Sequence, residues 1–156
     1  RSLTMEIKDI SATLPTRGPG RAQTLLDLCE IIVHRTDADT STPKGTAEFH
    51  TGPERKWPHI AYHFYVSKDG AVVQTLPVTT VGCHAPPNKG RIGVVFVGLE
   101  RDPLTSAQQT LFPHLLLFLT DKYQIAHGAV RGHREVNDTH CPGDWTAQAV
   151  RDWRGA

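Results

Sequence analysis

The Val-rich run from Ile92 to Leu99 is the segment that most constrains the fold. It is continuously apolar and carries no charged residue. A strand with apolar side chains on both faces must be covered on both faces, which is typical of inner strands flanked by helices. The apolar stretch Leu25 to Val33 predicts a short helical turn followed by a second buried strand. We therefore expect an α/β or α+β class, with one sheet and helices on its faces.

Local signals place the other elements around these two strands. Strands are predicted at 60–66, 71–76 and 129–133, and helices at 42–50, 105–123 and 146–153. Asp69-Gly70, between the first two of these strands, is a hairpin signal. Thr105 and Gln108 form a capping box at the start of the long helix, and Pro113 inside it predicts a kink or a restart.

Size and charge limit the classes of protein. The 156 residues suffice for a single domain, 1–156, in which 1–20 forms a short strand and an N-terminal arm. The formal net charge of +1 gives no electrostatic footprint for nucleic acid. The longest strongly apolar run, Leu115 to Leu119, is too short for membrane insertion.

Three side chains have the chemistry of metal ligands. Cys141 lies eight residues after His133, and His34 follows an apolar run that would deliver it to a sheet end. Zinc held by two His and one Cys keeps a fourth position for water, as in hydrolytic sites. The chain has nine His, so packed or surface roles remain the alternative on spacing alone. The other cysteines, Cys29 and Cys83, are expected to be reduced and mostly buried.

Five short motifs follow one another between about Glu30 and Trp153. They are Ile32-Val33-His34-Arg35-Thr36, Ala61-Tyr62-His63-Phe64-Tyr65-Val66, Val81-Gly82-Cys83-His84-Ala85, Asn88-Lys89-Gly90-Arg91-Ile92-Gly93-Val94, and Gly132-His133-Arg134-Glu135-Val136 with Thr139-His140-Cys141-Pro142-Gly143. In this order they resemble the zinc-dependent N-acetylmuramoyl-L-alanine amidases of the amidase-2 type. That group includes amidase-type phage lysozymes, which the chain resembles most, and the peptidoglycan recognition proteins of animals.

The resemblance implies a fold, a metal and a reaction. The fold is a mixed central sheet flanked by helices, with a zinc cleft on one face. The zinc ligands implied are His34, His133 and Cys141. The implied activity is hydrolysis of the amide between N-acetylmuramic acid and L-alanine in bacterial peptidoglycan, by a monomer acting as an endolysin.

The resemblance also implies two catalytic helpers. Tyr62 would reach the cleft, where its hydroxyl holds the nucleophilic water or the oxyanion; the alternative is a Tyr packed at the rim. Thr139 stands where the phage branch has Lys and many recognition proteins with amidase activity have Thr. Its alternative role is to cap local backbone. Val95 occupies a position at which another subset of amidases carries Glu, so no carboxylate is expected there.

Substrate contacts are predicted for His84, Asn88 and Arg91. His84 would lie on the cleft wall, and Asn88 and Arg91 would hold peptide carbonyls or carboxylates from a loop at the cleft lip. Asn88 is equally suited to shaping the turn. His63 is expected to be packed, and His50 is assigned to packing or the surface.

Two other functions remain open. One is a module that binds peptidoglycan without cutting it; loss of the Cys ligand usually marks that state in animal relatives, and Cys141 is present. The other is a cytoplasmic amidase that recycles soluble muropeptides. No signal-peptide pattern opens the sequence, so synthesis in the bacterial cytoplasm and phage-type release to the wall are expected.

Overall fold

One mixed six-stranded sheet organises the molecule. The structure, a computed structural model, describes residues 4–156, so the predicted arm is described from Thr4 onward. The strands are β1 (Lys8–Asp9), β2 (Glu30–Arg35), β3 (Phe64–Val66), β4 (Val72–Gln74), β5 (Arg91–Phe96) and β6 (Val130–Gly132). Their order in the sheet is β1-β4-β3-β5-β2-β6. Only the β3–β4 pair is antiparallel among the described strands.

Three helices accompany the sheet. They are α1 (Pro43–Thr51), α2 (Ser106–Tyr123) and α3 (Asp144–Gly155). Short 3-10 turns occupy Ser11–Thr13, Leu25–Asp27, His127–Ala129 and His133–Glu135. Within the described part of the chain, no helix has both the length and the apolar character needed to cross a membrane.

The two apolar runs form the centre of the sheet, as predicted. β2 and β5 pair in parallel along their whole length, with His34 beside Val95. Ile31 and Val33 face one side of the sheet, and His34 therefore faces the other. Val95 is fully buried, so the cleft side of β5 carries an apolar residue there.

Helices α2 and α3 cover one face of the sheet. Their apolar residues pack on β2, β3 and β5, and the set includes Phe112, Leu115, Leu116, Leu119, Val150 and Trp153. The predicted capping box opens α2: Gln108 N donates to Thr105 Oγ1 at 3.2 Å, and Thr105 N donates to Gln108 Oε1 at 3.1 Å. The helix continues through Pro113, so the predicted restart does not occur.

The opposite face is covered only in part, and this leaves room for a cleft. Ala47 of α1 packs there with Ile60, Tyr65, Leu76, Val95 and Val97. Part of the predicted strand 60–66 is not a strand, because Ala61 N donates to His50 Nδ1 at 3.0 Å rather than to a neighbouring strand. The fold class expected from the sequence is confirmed.

The expected state of two cysteines is wrong in part. Cys29 and Cys83 are free thiols, but Cys29 is exposed and Cys83 is half-buried. Cys29 directly precedes β2, where the chain is still at the surface, and its Sγ lies 3.5 Å from Gly90 O.

Candidate metal centre

Three donor atoms converge at one edge of the sheet. His34 lies near the carboxyl end of β2, and His133 directly follows the end of β6. Because β2 and β6 run parallel, with Val33 beside Gly132, the two histidines emerge at the same edge. Cys141 reaches them from the turn before α3. One donor atom from each of the three side chains lies within 4.8 Å of the other two.

The spacing of these donors matches a tetrahedral ion. Zinc bonds of about 2.05 Å to nitrogen and about 2.3 Å to sulfur place the two ligand atoms about 3.5 Å apart. Cys141 Sγ lies 3.7 Å from His34 Nδ1. The rings of His34 and His133 have centroids 4.5 Å apart. Two imidazoles and a thiol are preferred zinc ligands, so the residues present fit the ion and leave one position open.

Burial favours the uncharged forms of the three candidate ligands. His34 is 2% exposed, and this burial, together with neighbouring histidines, holds its pKa well below the ordinary value. Burial also lowers the pKa of His133. Both rings therefore keep a lone pair for a metal near neutral pH. Burial raises the pKa of the Cys141 thiol to about 12, so a cation beside the sulfur is needed to stabilise the thiolate.

The turn that presents Cys141 is held from both sides. Arg134 N donates to Cys141 O at 2.8 Å, and the Arg134 guanidinium donates to Asp144 Oδ1 at 2.8 Å. Gly143 has φ of +85°, a conformation that favours glycine, and it passes close to Glu100. These contacts fix the thiol relative to the start of α3.

Tyr62 lies between the ligands and an open cleft. Its ring centroid is 5.2 Å from that of His34. It lines a cleft of about 600 Å³ together with residues of α1 and of the segment before it. Burial is the main cause that raises the pKa of Tyr62, so its hydroxyl stays protonated and can donate a hydrogen bond.

Thr139 has the capping role that was its alternative. Cys141 N donates to Thr139 Oγ1 at 3.3 Å, so Thr139 does cap the local backbone. A hydroxyl that accepts this bond can still donate its own proton. Its contribution to catalysis remains a prediction.

The structure places His84 behind the centre rather than on the cleft wall. The ring is 5% exposed. Its Nδ1 lies 2.9 Å from His34 Nε2, and its Nε2 lies 3.0 Å from Arg91 O. Both ring nitrogens are engaged, so His84 has no free polar atom for substrate. The expectation that it contacts substrate is corrected: it contacts a ligand instead.

The other two predicted substrate contacts serve the loop itself. Asn88 adopts φ of +65°, and its Oδ1 accepts from Ala85 N at 2.8 Å, so it shapes the turn. Arg91 donates to Glu30 Oε1 at 2.8 Å and to the carbonyls of Ala85 and Pro86 at 2.9 and 2.8 Å. Arg91 is therefore an internal anchor of the loop, and its contact with substrate stays a prediction.

Two cleft residues were missed from the sequence. His50, assigned to packing or the surface, lines the cleft, and Ala61 N donates to its Nδ1, which leaves Nε2–H as a donor. Arg55 also lines the cleft, with its guanidinium carbon 5.4 Å and 5.1 Å from the ring centroids of Phe49 and Trp57. The signal for His50 was its place on the same face of α1 as Ala47. Nothing local marked Arg55.

Comparison with known proteins agrees with this geometry. The model of the Amidase_2 family, described as N-acetylmuramoyl-L-alanine amidase, matches residues 28–144. The chain belongs to this family. The match contains all three candidate ligands as well as Tyr62 and Thr139. The resemblance stated from the five motifs is therefore confirmed.

Several solved structures and curated relatives are similar to this chain. The endolysin amidase LysCS from Clostridium intestinale superposes with a TM-score of 0.83, at 28% identity over 97% of both chains. A mutant of Drosophila PGRP-LB in complex with tracheal cytotoxin has a TM-score of 0.74, at 26% identity over 88% of this chain and 89% of its own. Peptidoglycan-recognition protein SC2 of Drosophila simulans is 36% identical over 100 residues, which are 62% of this chain. The chain spans about half the length of that relative, 54%.

Proposed function

We propose that this chain is a zinc-dependent N-acetylmuramoyl-L-alanine amidase that cleaves the glycan from the stem peptide of bacterial peptidoglycan. The observation that carries the proposal is the convergence of His34, His133 and Cys141 beside an open cleft. Family membership and the similarity to an endolysin amidase over nearly the whole chain support it.

The ion and the protein would share the work. An amide is a poor electrophile with a poor leaving group, so hydrolysis needs a nucleophile, oxyanion stabilisation and a proton for the amine. Bound zinc supplies Lewis acidity and lowers the pKa of water to about 7. His34, His133 and Cys141 would hold it while leaving one position for water or substrate.

Tyr62 supplies a neutral donor next to the ligands. Because its hydroxyl keeps its proton, it can orient the attacking water or donate to the oxygen on which charge develops. Thr139, whose Oγ1 accepts from Cys141 N at 3.3 Å, can add a second hydroxyl. With Val95 buried where a carboxylate could have stood, these two hydroxyls carry the work of positioning.

The cleft beyond Tyr62 suits a stem peptide. His50 offers a neutral N–H donor, since burial lowers its pKa to about 4. Arg55 offers a cation that is steadied by two aromatic rings. A peptide that carries carbonyl and carboxylate groups complements this pair.

A pure binding module is the second candidate. It is favoured by the similarity to a recognition protein in complex with tracheal cytotoxin. A binder needs no thiol among its buried histidines, whereas Cys141 Sγ lies at ligand distance from His34 Nδ1. This contact favours catalysis over binding alone.

A recycling amidase is the other alternative. The similarity to an endolysin amidase favours action on the cell wall over recycling of soluble muropeptides. Phage-type release is the proposed route to the wall.

Digestion of purified peptidoglycan separates these functions. The zinc-loaded protein should release stem peptides with free L-alanine amino termini and leave the glycan strands intact, as read by mass spectrometry. Exhaustive chelation should abolish release, and added zinc should restore it. New reducing ends, new termini inside the peptide, or binding to the wall without any product would each contradict the proposal. A Cys141→Ala variant is the matched negative control.

A further inference from the structure

The loop 85–91, which we call the lip loop, contacts both candidate histidine ligands through one intermediate side chain each. Arg91 O lies next to His84, which contacts His34. Pro86 O lies next to Asn137, which contacts His133. The loop thus stands behind both imidazoles of the centre.

The first path, from Arg91 O through His84 to His34, fixes which ring nitrogen of His34 carries the proton. A carbonyl oxygen can only accept, so His84 Nε2, which lies 3.0 Å from Arg91 O, must carry the ring proton. Neutral His84 then has a lone pair on Nδ1, and His34 Nε2 must donate to it across 2.9 Å. His34 therefore keeps its lone pair on Nδ1, the atom that lies 3.7 Å from Cys141 Sγ.

The second path, from Pro86 O through Asn137 to His133, fixes in the same way which ring nitrogen of His133 carries the proton. Asn137 Nδ2 donates to Pro86 O at 2.9 Å, and this contact sets the orientation of the amide. Asn137 Oδ1 then faces His133 Nε2 at 3.0 Å and can only accept. His133 must therefore carry its proton on Nε2. Its Nδ1 keeps the lone pair that can bind a metal ion.

The packing around these paths leaves little room for other arrangements. A Cβ added at Gly93 would lie 2.8 Å from the His84 ring, and one at Gly82 would lie 2.6 Å from it, so two glycines make space for the imidazole. Arg91 anchors the loop by donating to Ala85 O, Pro86 O and Glu30. The carbonyls that orient the paths are therefore held in place.

We propose that the lip loop sets the tautomers of both zinc ligands, with His84 and Asn137 as positioning residues that present Nδ1 of His34 and His133 to the ion. The inference rests on the proposed metal centre. Partners behind metal-bound histidines typically change metal affinity by about 10–100-fold when they are removed. Each path should contribute on that scale, because a ring without its acceptor can also adopt the tautomer that protonates Nδ1.

Variants that keep or remove the acceptor test the proposal by zinc affinity, measured in competition with a chelator. Asn137→Ala and His84→Ala remove the acceptor and should weaken zinc binding about 10–100-fold. Asn137→Asp keeps an acceptor for His133, and His84→Asn places Oδ1 close to the position of Nδ1, so both should retain affinity within a few-fold of wild type. Asp138→Ala, exposed and adjacent to Asn137, is the control.

The tautomers can also be read without metal. Two-bond proton–nitrogen correlation spectra of the metal-free protein should show the Nε2–H form for His34 and His133. In Asn137→Ala the His133 signals should shift towards a mixture of tautomers, while those of His34 stay unchanged. A purely structural role for Asn137 would not produce this selective change.

Specific results would overturn the inference. Wild-type spectra with Nδ1–H on either histidine, or an Asn137→Ala affinity equal to that of Asp138→Ala, would overturn the inference. So would an Asn137→Asp variant as weak as Asn137→Ala. If His84→Ala does not fold, as judged by circular dichroism, the Asn137 variants decide the matter. A wild-type protein that binds no zinc would refute the proposed function, while the metal-free spectra would still decide the tautomers.

Discussion

Replacing Gly143 with Ala should test how the thiol of the candidate centre is positioned. Gly143 has φ of +85°, and an added Cβ would lie 2.7 Å from the carbonyl carbon of Glu100 and closer still to its oxygen. Non-bonded carbon atoms pack at about 3.5–4.0 Å, and the carbonyl oxygen is nearer than the carbon, so the backbone must move by more than about 1 Å. A left-handed conformation costs about 1–2 kcal/mol for a residue with a Cβ, and overpacking costs about 1–3 kcal/mol more.

The expected loss is therefore about 2–5 kcal/mol, or about 4–20 °C in Tm for a chain of this size. Urea unfolding of the metal-free protein measures the loss of free energy directly. Zinc affinity should fall as well, because Gly143 lies two residues after Cys141 and is the N-cap of α3. Gly128→Ala is the control, since an added Cβ there meets no atom within 4 Å. Equal stability of the two variants would refute the reasoning.

Three further results are expected. Cys141→Ser should lower bound zinc and amidase activity together, because a neutral hydroxyl is a poor zinc ligand. Metal analysis and an assay of peptide release measure the two quantities. An inactive variant that still binds a full equivalent of zinc would count against the ligand role. Tyr62→Phe should keep zinc but lose about 10²–10³ in kcat, whereas unchanged kcat would remove the hydroxyl from catalysis. Burial lowers the pKa of His63 to about 4, so the folded state binds this proton more weakly than the unfolded state. The resulting stability is present above pH 6.5 and declines as the pH falls towards 4, by about 2 kcal/mol at pH 5. Urea unfolding of the metal-free protein at pH 7 and pH 5 should show a smaller decline for His63→Gln, and equal declines would contradict the assignment.

Local chemistry explains which elements could be predicted. The apolar runs of β2 and β5 predict strands covered on both faces, and Thr105 with Gln108 predicts the start of α2. Asp69-Gly70 predicts the β3–β4 hairpin because Gly70 takes φ of +85°. The sequence could not show that Ala61 bonds to the side chain of His50, since that contact depends on where α1 lies in the folded molecule.

The site was predictable where the motif itself carries the chemistry, and not where packing decides. His34, His133 and Cys141 could be named because few residue types bind zinc. His84 was assigned to substrate because its motif does not show that its ring is buried behind His34. A usable signal did exist: Gly93 interrupts an otherwise bulky strand, and a glycine there marks the close approach of another group. That group is the His84 ring.

The two outer strands of the sheet have a consequence for the behaviour of the molecule in concentrated solution. β1 has two residues and β6 has three, so an incoming strand would find only a few unpaired backbone groups at either margin. Arg131 on β6 adds a charge there, paired with Glu30 at 3.0 Å. Short, charged margins are poor templates for strand addition. Folded copies should therefore resist polymerising through their sheets even when they accumulate to high concentration.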